Sequence, residues 1–249
     1  MPERLQKWLA GQGFGSRRHI ESWIAEGRIT VDGVQAVLGQ KVSGTERITV
    51  DGKIVRVSSQ NTFRPKGLIY HKPAGEICSR SDPEGRPTVF DKLPHLARGR
   101  WISVGRLDFQ TSGLLLLTND GELANRLMHP STGLTREYAV RALGELSGEA
   151  LQRLRRGIAL EDGIARFEVV EPAGGEGRNR WYKVVVSEGR NRIVRRAFEV
   201  VGSRVTRLIR VRYGPISLPR PLPGGKYRPF NANEMNSLYQ AVGLDPDHK

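Results

Sequence analysis

The stretch Val104 to Arg141, VGRLDFQTSGLLLLTNDGELANRLMHPSTGLTREYAVR, sets the pattern of the chain. It places an acid beside a base in Gly105-Arg106-Leu107-Asp108, then an apolar run, Leu114 to Leu117, and an Asn119-Asp120-Gly121 turn. A short apolar run bounded by turn residues reads as a strand, here Leu114 to Thr118. Glu122 to Met128 follows as a helix and Arg136 to Ala142 as a second strand. Asp108 by itself says little, because an aspartate flanking a strand is commonly a turn former or a cap.

The same alternation predicts strands at Gly67 to His71, Trp101 to Val104, Phe167 to Val170, Trp181 to Val186 and Val205 to Tyr213. Helices are expected at Ser147 to Arg156 and Arg190 to Val201. Strands outnumber helices, which predicts an α+β domain on a mixed, largely antiparallel sheet. The loop Arg80 to Asp91 is long and rich in turn residues, and long loops are often functional.

Ahead of this domain lies a smaller one, expected over residues 1–58, with a polar linker at 59–65 and the larger domain at 66–249. Two short helices, Leu5 to Ala10 and Ser16 to Glu26, flank Gly11-Gln12-Gly13-Phe14-Gly15. In the second helix Ile20, Trp23 and Ile24 form an apolar face, with Ser16 as N-cap and Gly27 as stop. The glycine pattern follows a helix, so it is not a dinucleotide fingerprint, which opens after a strand. Ile29-Thr30-Val31-Asp32-Gly33 recurs as Ile48-Thr49-Val50-Asp51-Gly52, and each run ends in the Asp-Gly hairpin signal.

The chain of 249 residues carries 40 Lys and Arg against 26 Asp and Glu, a formal charge of +14. Between Arg178 and Arg212 stand eleven cations against Glu188 and Glu199. Such a concentration of charge points to a polyanion, and nucleic acid leads. At about 100° per residue the expected helix from Arg190 sets Val194, Ala197, Phe198 and Val201 on one side and Arg192 and Arg196 on the other. Arg192 and Arg196 thus become candidates to face a phosphate backbone, and Arg195, at the border, a candidate to turn inward to a carboxylate.

Cys78 is the single cysteine, which argues against a disulfide framework and fits a reducing cytoplasm. The five histidines lack paired ligand spacing, so no metal site is expected. The charged start has no apolar signal core, and no run has the ~18 apolar residues of a membrane span.

The motifs in Gly105-Arg106-Leu107-Asp108, Thr111 to Gly121, Arg136-Glu137-Tyr138 and Glu188 to Arg196 closely resemble those of the pseudouridine synthases that modify ribosomal RNA. The resemblance covers almost the whole chain. It implies that Asp108 is the catalytic carboxylate, that Arg195 pairs with it, and that Tyr138 stacks on the target base. It implies further that Arg106 holds the RNA open around a flipped nucleotide, that Leu208 lines the pocket, and that Lys72, in Lys72-Pro73-Ala74-Gly75, contacts RNA. Many members have Gln where this chain has Ile193, so no role passes to that side chain. The N-terminal part resembles a small RNA-binding module first named from a small-subunit ribosomal protein. Its Arg17 and Arg18, with Lys7 and Arg28 nearby, would contact RNA backbone rather than read sequence.

Pseudouridine formation breaks the ribose bond to the base nitrogen, rotates the base and rejoins it through a carbon. Burial alone would protonate a carboxylate, and a hydrogen-bonded arginine favours its charged form, which is the physical need for Arg195. As an isomerisation the reaction needs no cofactor. The loop Ser81 to Asp91 looks most like that of members acting on large-subunit ribosomal RNA, so the expected partner is a stem-loop of that RNA, bound by a cytoplasmic monomer without membrane contact. Two other readings stay open: a synthase for small-subunit ribosomal RNA, and a non-catalytic ribosome-assembly factor on a retired enzyme fold. A hydrolase would show metal-binding carboxylates or catalytic histidines, and neither constellation is visible.

Overall fold

The computed structural model describes residues 2–55, 65–97 and 99–245. The expected linker lies almost wholly outside these. The chain divides into two compact units, one holding the N-terminal residues together with Pro94–Trp101, the other Pro65–Leu93 and the chain from Ile102 onward. Pro94–Trp101, expected in the larger domain, thus belongs with the smaller unit. The Trp101 indole donates to the Pro94 carbonyl at 2.7 Å, closing this stretch on itself. The Gly99 backbone also runs so near Gly13 that a Cβ there would lie 3.1 Å from the Gly99 nitrogen.

In the smaller unit, helices Leu5–Gly11 and Arg17–Ala25 pack on a four-stranded sheet around Leu5, Leu9, Ile20, Ile24, Ile29 and Ile48. Ser16 caps the second helix, its hydroxyl accepting from the His19 amide at 3.1 Å. The repeated Ile-Thr-Val-Asp-Gly runs form two hairpins whose first strands, Ile29–Val31 and Ile48–Val50, pair with each other. At both tips Asp and Gly have positive φ (Asp32 51° and Gly33 84°, Asp51 49° and Gly52 73°), the twist that matches a two-residue turn to its strands.

The larger unit is built on a nine-stranded sheet. Its main path runs Val169–Pro172, Asn179–Val186, Arg136–Leu143, Val205–Tyr213, Ser112–Thr118, Gly67–Lys72, Tyr227–Pro229. Every neighbouring pair on this path is antiparallel except Val205–Tyr213 with Ser112–Thr118, which confirms a mixed, largely antiparallel sheet. Leu114 to Leu117 are all fully buried, the mark of a central strand covered on both faces. Leu114 and Leu116 pack with Leu123 and Leu127 of helix Gly121–Met128 and Leu238 of helix Ala232–Gln240. Asp120, read as part of a turn, is the N-cap of the first of these helices. One of its carboxylate oxygens accepts from the amides of Glu122 and Leu123, and the other from the Tyr239 hydroxyl at 2.6 Å.

A second core lies over the other half of the sheet, where Val140, Ala142, Tyr182, Val184 and Leu208 meet Leu154 of helix Gly148–Arg156 and Val194, Ala197 and Phe198 of helix Ile193–Val200. This last helix starts three residues later than the sequence suggests, because Arg192 adopts a left-handed conformation (φ 48°) that a helix interior cannot hold. The strand expected at Phe167 begins instead at Val169, and that expected at Trp101 is only Ile102–Ser103. Strands Ile158–Leu160, Gly163–Ala165, Ile216–Ser217 and Tyr227–Pro229 and helix Ala232–Gln240 have no counterpart among the expectations.

Candidate active site

One row of the sheet organises the site. Tyr138 is paired with Arg210, Arg210 with Gly113, and Gly113 with Lys72, so four adjacent strands contribute one residue each. Gly113 has φ +109°, and a Cβ there would lie 2.3 Å from the Arg210 carbonyl oxygen, so only glycine fits between these strands. The turn bearing Asp108 rises just before this glycine.

The backbone of that turn is tied at every residue from Leu107 to Thr111. The Leu107 amide points at the Cys78 sulfur at 3.4 Å. The Asp108 carbonyl accepts from the Thr111 amide at 3.0 Å and from Lys72 Nζ at 3.1 Å. The Phe109 carbonyl accepts from the Gly75 amide at 2.8 Å, inside the Lys72-Pro73-Ala74-Gly75 turn. The Gln110 carbonyl accepts from Arg195 Nη2 at 3.2 Å, and the Thr111 carbonyl from Lys72 Nζ at 2.9 Å. Against this fixed backbone, the half-buried Asp108 side chain makes no hydrogen bond or ion pair with the described residues. Such an arrangement holds the side chain's point of attachment in place and leaves its oxygens available.

Lys72 is therefore corrected from RNA contact to internal clamp. It is 0% exposed, and its ammonium spends three donors on the carbonyls of Pro73, Asp108 and Thr111. Burial pushes its pKa below the usual lysine value, opposed by Cys78, Glu76 and Asp108. A charge so enclosed cannot serve a phosphate without opening the fold.

Arg195 is also corrected in its geometry. It is buried, as the border position allowed, but its guanidinium donates to the carbonyls of Val205 (3.0 Å) and Gln110 (3.2 Å) rather than to the Asp108 carboxylate. Its Nε has no partner among the described residues. Burial and then Arg192 lower its pKa, while Asp108 and Glu199 raise it, so the Asp108 charge reaches this guanidinium without a direct bond. Tyr138 is half-buried and packs against the second core, on the face that carries Val140 and Leu208. Leu208 is a buried member of that core. Arg106 is exposed, two residues before Asp108.

The dense basic run resolves into several roles. Arg195 and Arg210 are buried, and Arg210 donates to the Leu114 carbonyl at 2.7 Å. Arg196 forms a two-bonded ion pair with Asp162 (2.9 and 2.8 Å), so it is not the free phosphate contact expected of it. Arg190 reaches Asp162 and Glu188, and Arg212 reaches Glu137. Arg192 remains exposed with no ion partner among the described residues. Replacing Arg192 by Gln should lower the salt slope of RNA binding by about one unit, whereas Arg196→Gln should leave it unchanged. Filter binding across a salt series checks this; equal slopes for both variants would return Arg196 to the RNA surface.

In the smaller unit Arg17 and Arg18 are exposed at the start of their helix. Arg28 is bound to Asp51 at 2.8 and 2.7 Å and lies over the Trp23 ring, so it drops from the set of backbone contacts. The loop from Arg80 to Asp91 is closed by its own contacts. Arg86 grips Asp82 with two bonds, Asp91 accepts from Thr88, and Arg80 stacks on Phe90 at 4.2 Å.

The sequence reading gave no site role to Arg210, Gly113, Thr111 or Cys78. Arg210 stands two positions from Leu208, so strand alternation alone assigns it to the inner face. Gly113 opens an otherwise apolar strand, a signal for close backbone approach. No comparable signal marks Thr111 or Cys78. Among the described residues no group of three or more His, Cys, Asp or Glu could hold a metal ion, and no helix is long and apolar enough to cross a membrane.

A family model described as RNA pseudouridylate synthase matches residues 66–200, and one described as the S4 domain matches residues 3–48. The chain is 56% identical over 245 residues, 98% of its length, to a Pseudomonas aeruginosa protein named ribosomal large subunit pseudouridine synthase B. Relatives of the same name from Yersinia pestis and Escherichia coli K12 are 52% and 53% identical, over 98% and 99% of this chain. The chain spans 64% of the length of the Pseudomonas relative, 78% of the Yersinia one and 86% of the Escherichia coli one. A crystal structure of a pseudouridylate synthase superposes with a TM-score of 0.65 at 25% identity, covering 94% of this chain and 99% of the other. With a family match over more than half of the chain and identity above one half to relatives along nearly its whole length, the chain belongs to the RNA pseudouridylate synthase family and carries an N-terminal S4 domain.

Proposed function

We propose that the protein converts a uridine of large-subunit ribosomal RNA to pseudouridine, with Asp108 as the reacting carboxylate. The observation that carries this reading is the Asp108 turn itself. Its carbonyls are consumed by Lys72, Arg195 and backbone amides, while its carboxylate is free to meet a substrate. The printed names of the relatives favour large-subunit ribosomal RNA as substrate.

In this reading, Asp108 acts at the ribose while the bond to the base nitrogen breaks. The uracil turns within the site, its carbon bonds to the ribose, and the proton that carbon carried is lost as the nitrogen gains one. Tyr138 stacks on the base, and Arg195 stabilises the carboxylate through charge and by fixing the Gln110 carbonyl. Arg106 and Arg192 hold the opened RNA by its backbone, offsetting the few kcal/mol that extruding a base costs. Arg17 and Arg18 of the S4 domain add contacts that raise local concentration without touching the chemistry. The functional division is residues 1–58 for RNA binding and 66–249 for catalysis, apart from Pro94–Trp101, which belongs with the smaller unit. The substrate is a stem-loop, since A-form duplex closes its major groove to side chains, and the enzyme acts as a cytoplasmic monomer.

Mapping pseudouridine across ribosomal RNA in cells with and without this protein tests the reading. One uridine in the large-subunit RNA should lose its modification. A change confined to small-subunit RNA or transfer RNA overturns the substrate, and no change in any RNA overturns the activity.

A further inference from the structure

One sheet face of the larger unit is covered by helices Gly121–Met128 and Ala232–Gln240 at Leu114 and Leu116 and stays open over strands Arg136–Leu143 and Asn179–Val186. Strand alternation sends Val140, Tyr182 and Leu208 into the second core, and so turns Arg141, Trp181 and Arg207 to the other side, where they form one row across three strands. The next row on that side adds Lys183. Arg207 and Lys183 are exposed and have no ion partner among the described residues. Arg141 and Trp181 are half-exposed, with the guanidinium 5.9 Å from the indole centroid. Arg141 is held in that pose, since its Nε donates to the Thr206 hydroxyl at 3.1 Å, and that hydroxyl also contacts the Arg141 carbonyl and Asn179.

We propose that this face, turned away from Tyr138, is a second RNA surface that takes single-stranded RNA flanking the substrate stem-loop. Charge complementarity selects the occupant. Three cations face outward with Glu171 at the edge strand as the nearby acid, and Glu137 is already neutralised by Arg212. An aromatic ring among cations on an open sheet is a stacking platform with phosphate contacts beside it, and it suits unpaired bases, whose faces are available. A duplex hides those faces, and a protein partner has no need of unpaired cations beside an indole. The inference rests on the reading of the protein as an RNA-modifying enzyme, and it adds a binding surface that the chemistry does not use.

The test uses the full chain and three transcripts: the minimal stem-loop, the stem-loop with an unpaired uridine-rich tail, and the same tail annealed to its complement. Wild-type protein should bind the unpaired-tail transcript about tenfold more tightly than the stem-loop. Lys183→Gln/Arg207→Gln should lose that gain, with a salt slope lower by about 1.4 for two single-strand phosphate contacts. The variant's turnover on the stem-loop should stay at the wild-type level. Trp181→Phe should keep most of the gain and Trp181→Leu should lose it, which separates stacking from mere packing. Equal affinity loss on all three transcripts, or a paired tail that binds as well as the unpaired one, overturns the proposal. A wild-type protein that binds the tail but never modifies the stem-loop would instead indict the catalytic reading and leave this surface standing.

Discussion

Asp108→Asn should abolish pseudouridine formation while changing RNA affinity by less than about threefold. The carboxylate makes no ion pair or hydrogen bond with the described residues, so the amide removes an anion without releasing a structural contact. The backbone of the turn is held by Lys72, Arg195 and main-chain amides, none of which touches the side chain. Tritium release from uridine labelled at the carbon that joins the ribose reports turnover, and filter binding on the same RNA reports affinity. Turnover within tenfold of wild type would remove Asp108 from the chemistry. A parallel collapse of thermal stability would mean that the carboxylate has a structural partner after all.

Local signals in this chain were legible wherever a residue acts on its own backbone. Ser16 caps a helix, the Asp-Gly pairs close hairpins with both φ values positive, and the leucine run makes a buried central strand, because each depends on near neighbours in sequence. The Asn231 to Glu234 spacing at the start of the last helix is equally local. It forms a capping box with both reciprocal bonds present, and the pattern was there to be read. The strand at Tyr227–Pro229 was harder, being short, proline-ended and paired at the sheet edge with a partner more than 150 residues earlier.

Charge was legible in amount and not in assignment. Arg196 and Arg28 looked like free cations because their partners, Asp162 and Asp51, lie 34 and 23 residues away and meet them only after folding. Helical periodicity placed Arg195 correctly at the buried border, yet the acceptors it finds are carbonyls of Val205 and Gln110, which carry no side-chain signature at all. A main-chain oxygen is present at every residue, so nothing in the sequence marks which ones a buried cation will use. The same blindness hid the role of Lys72, whose acceptors are the carbonyls of Pro73, Asp108 and Thr111.

Lys72→Met should therefore cost far more in turnover than in stability. The methionine keeps the length and apolar stem, and it removes the cation that burial already penalises. Against that relief stands the loss of three charge-assisted hydrogen bonds, each worth roughly 1.5–3 kcal/mol. The effective penalty for burying the ion is itself several kcal/mol, so the two terms largely offset and a net destabilisation of about 1–3 kcal/mol is expected. Catalysis has no such offset. Without Nζ the Thr111 carbonyl loses its side-chain donor, the Asp108 carbonyl keeps only the Thr111 amide, and the turn that carries the carboxylate is held less firmly. A displacement of about 1 Å can reduce a rate by a hundredfold, and kcat should fall by that order with RNA affinity little changed. Calorimetry beside single-turnover kinetics decides it. A drop in affinity with normal kcat would restore Lys72 to the RNA surface, and a loss of rate no greater than the loss of folded protein would reduce it to a packing residue.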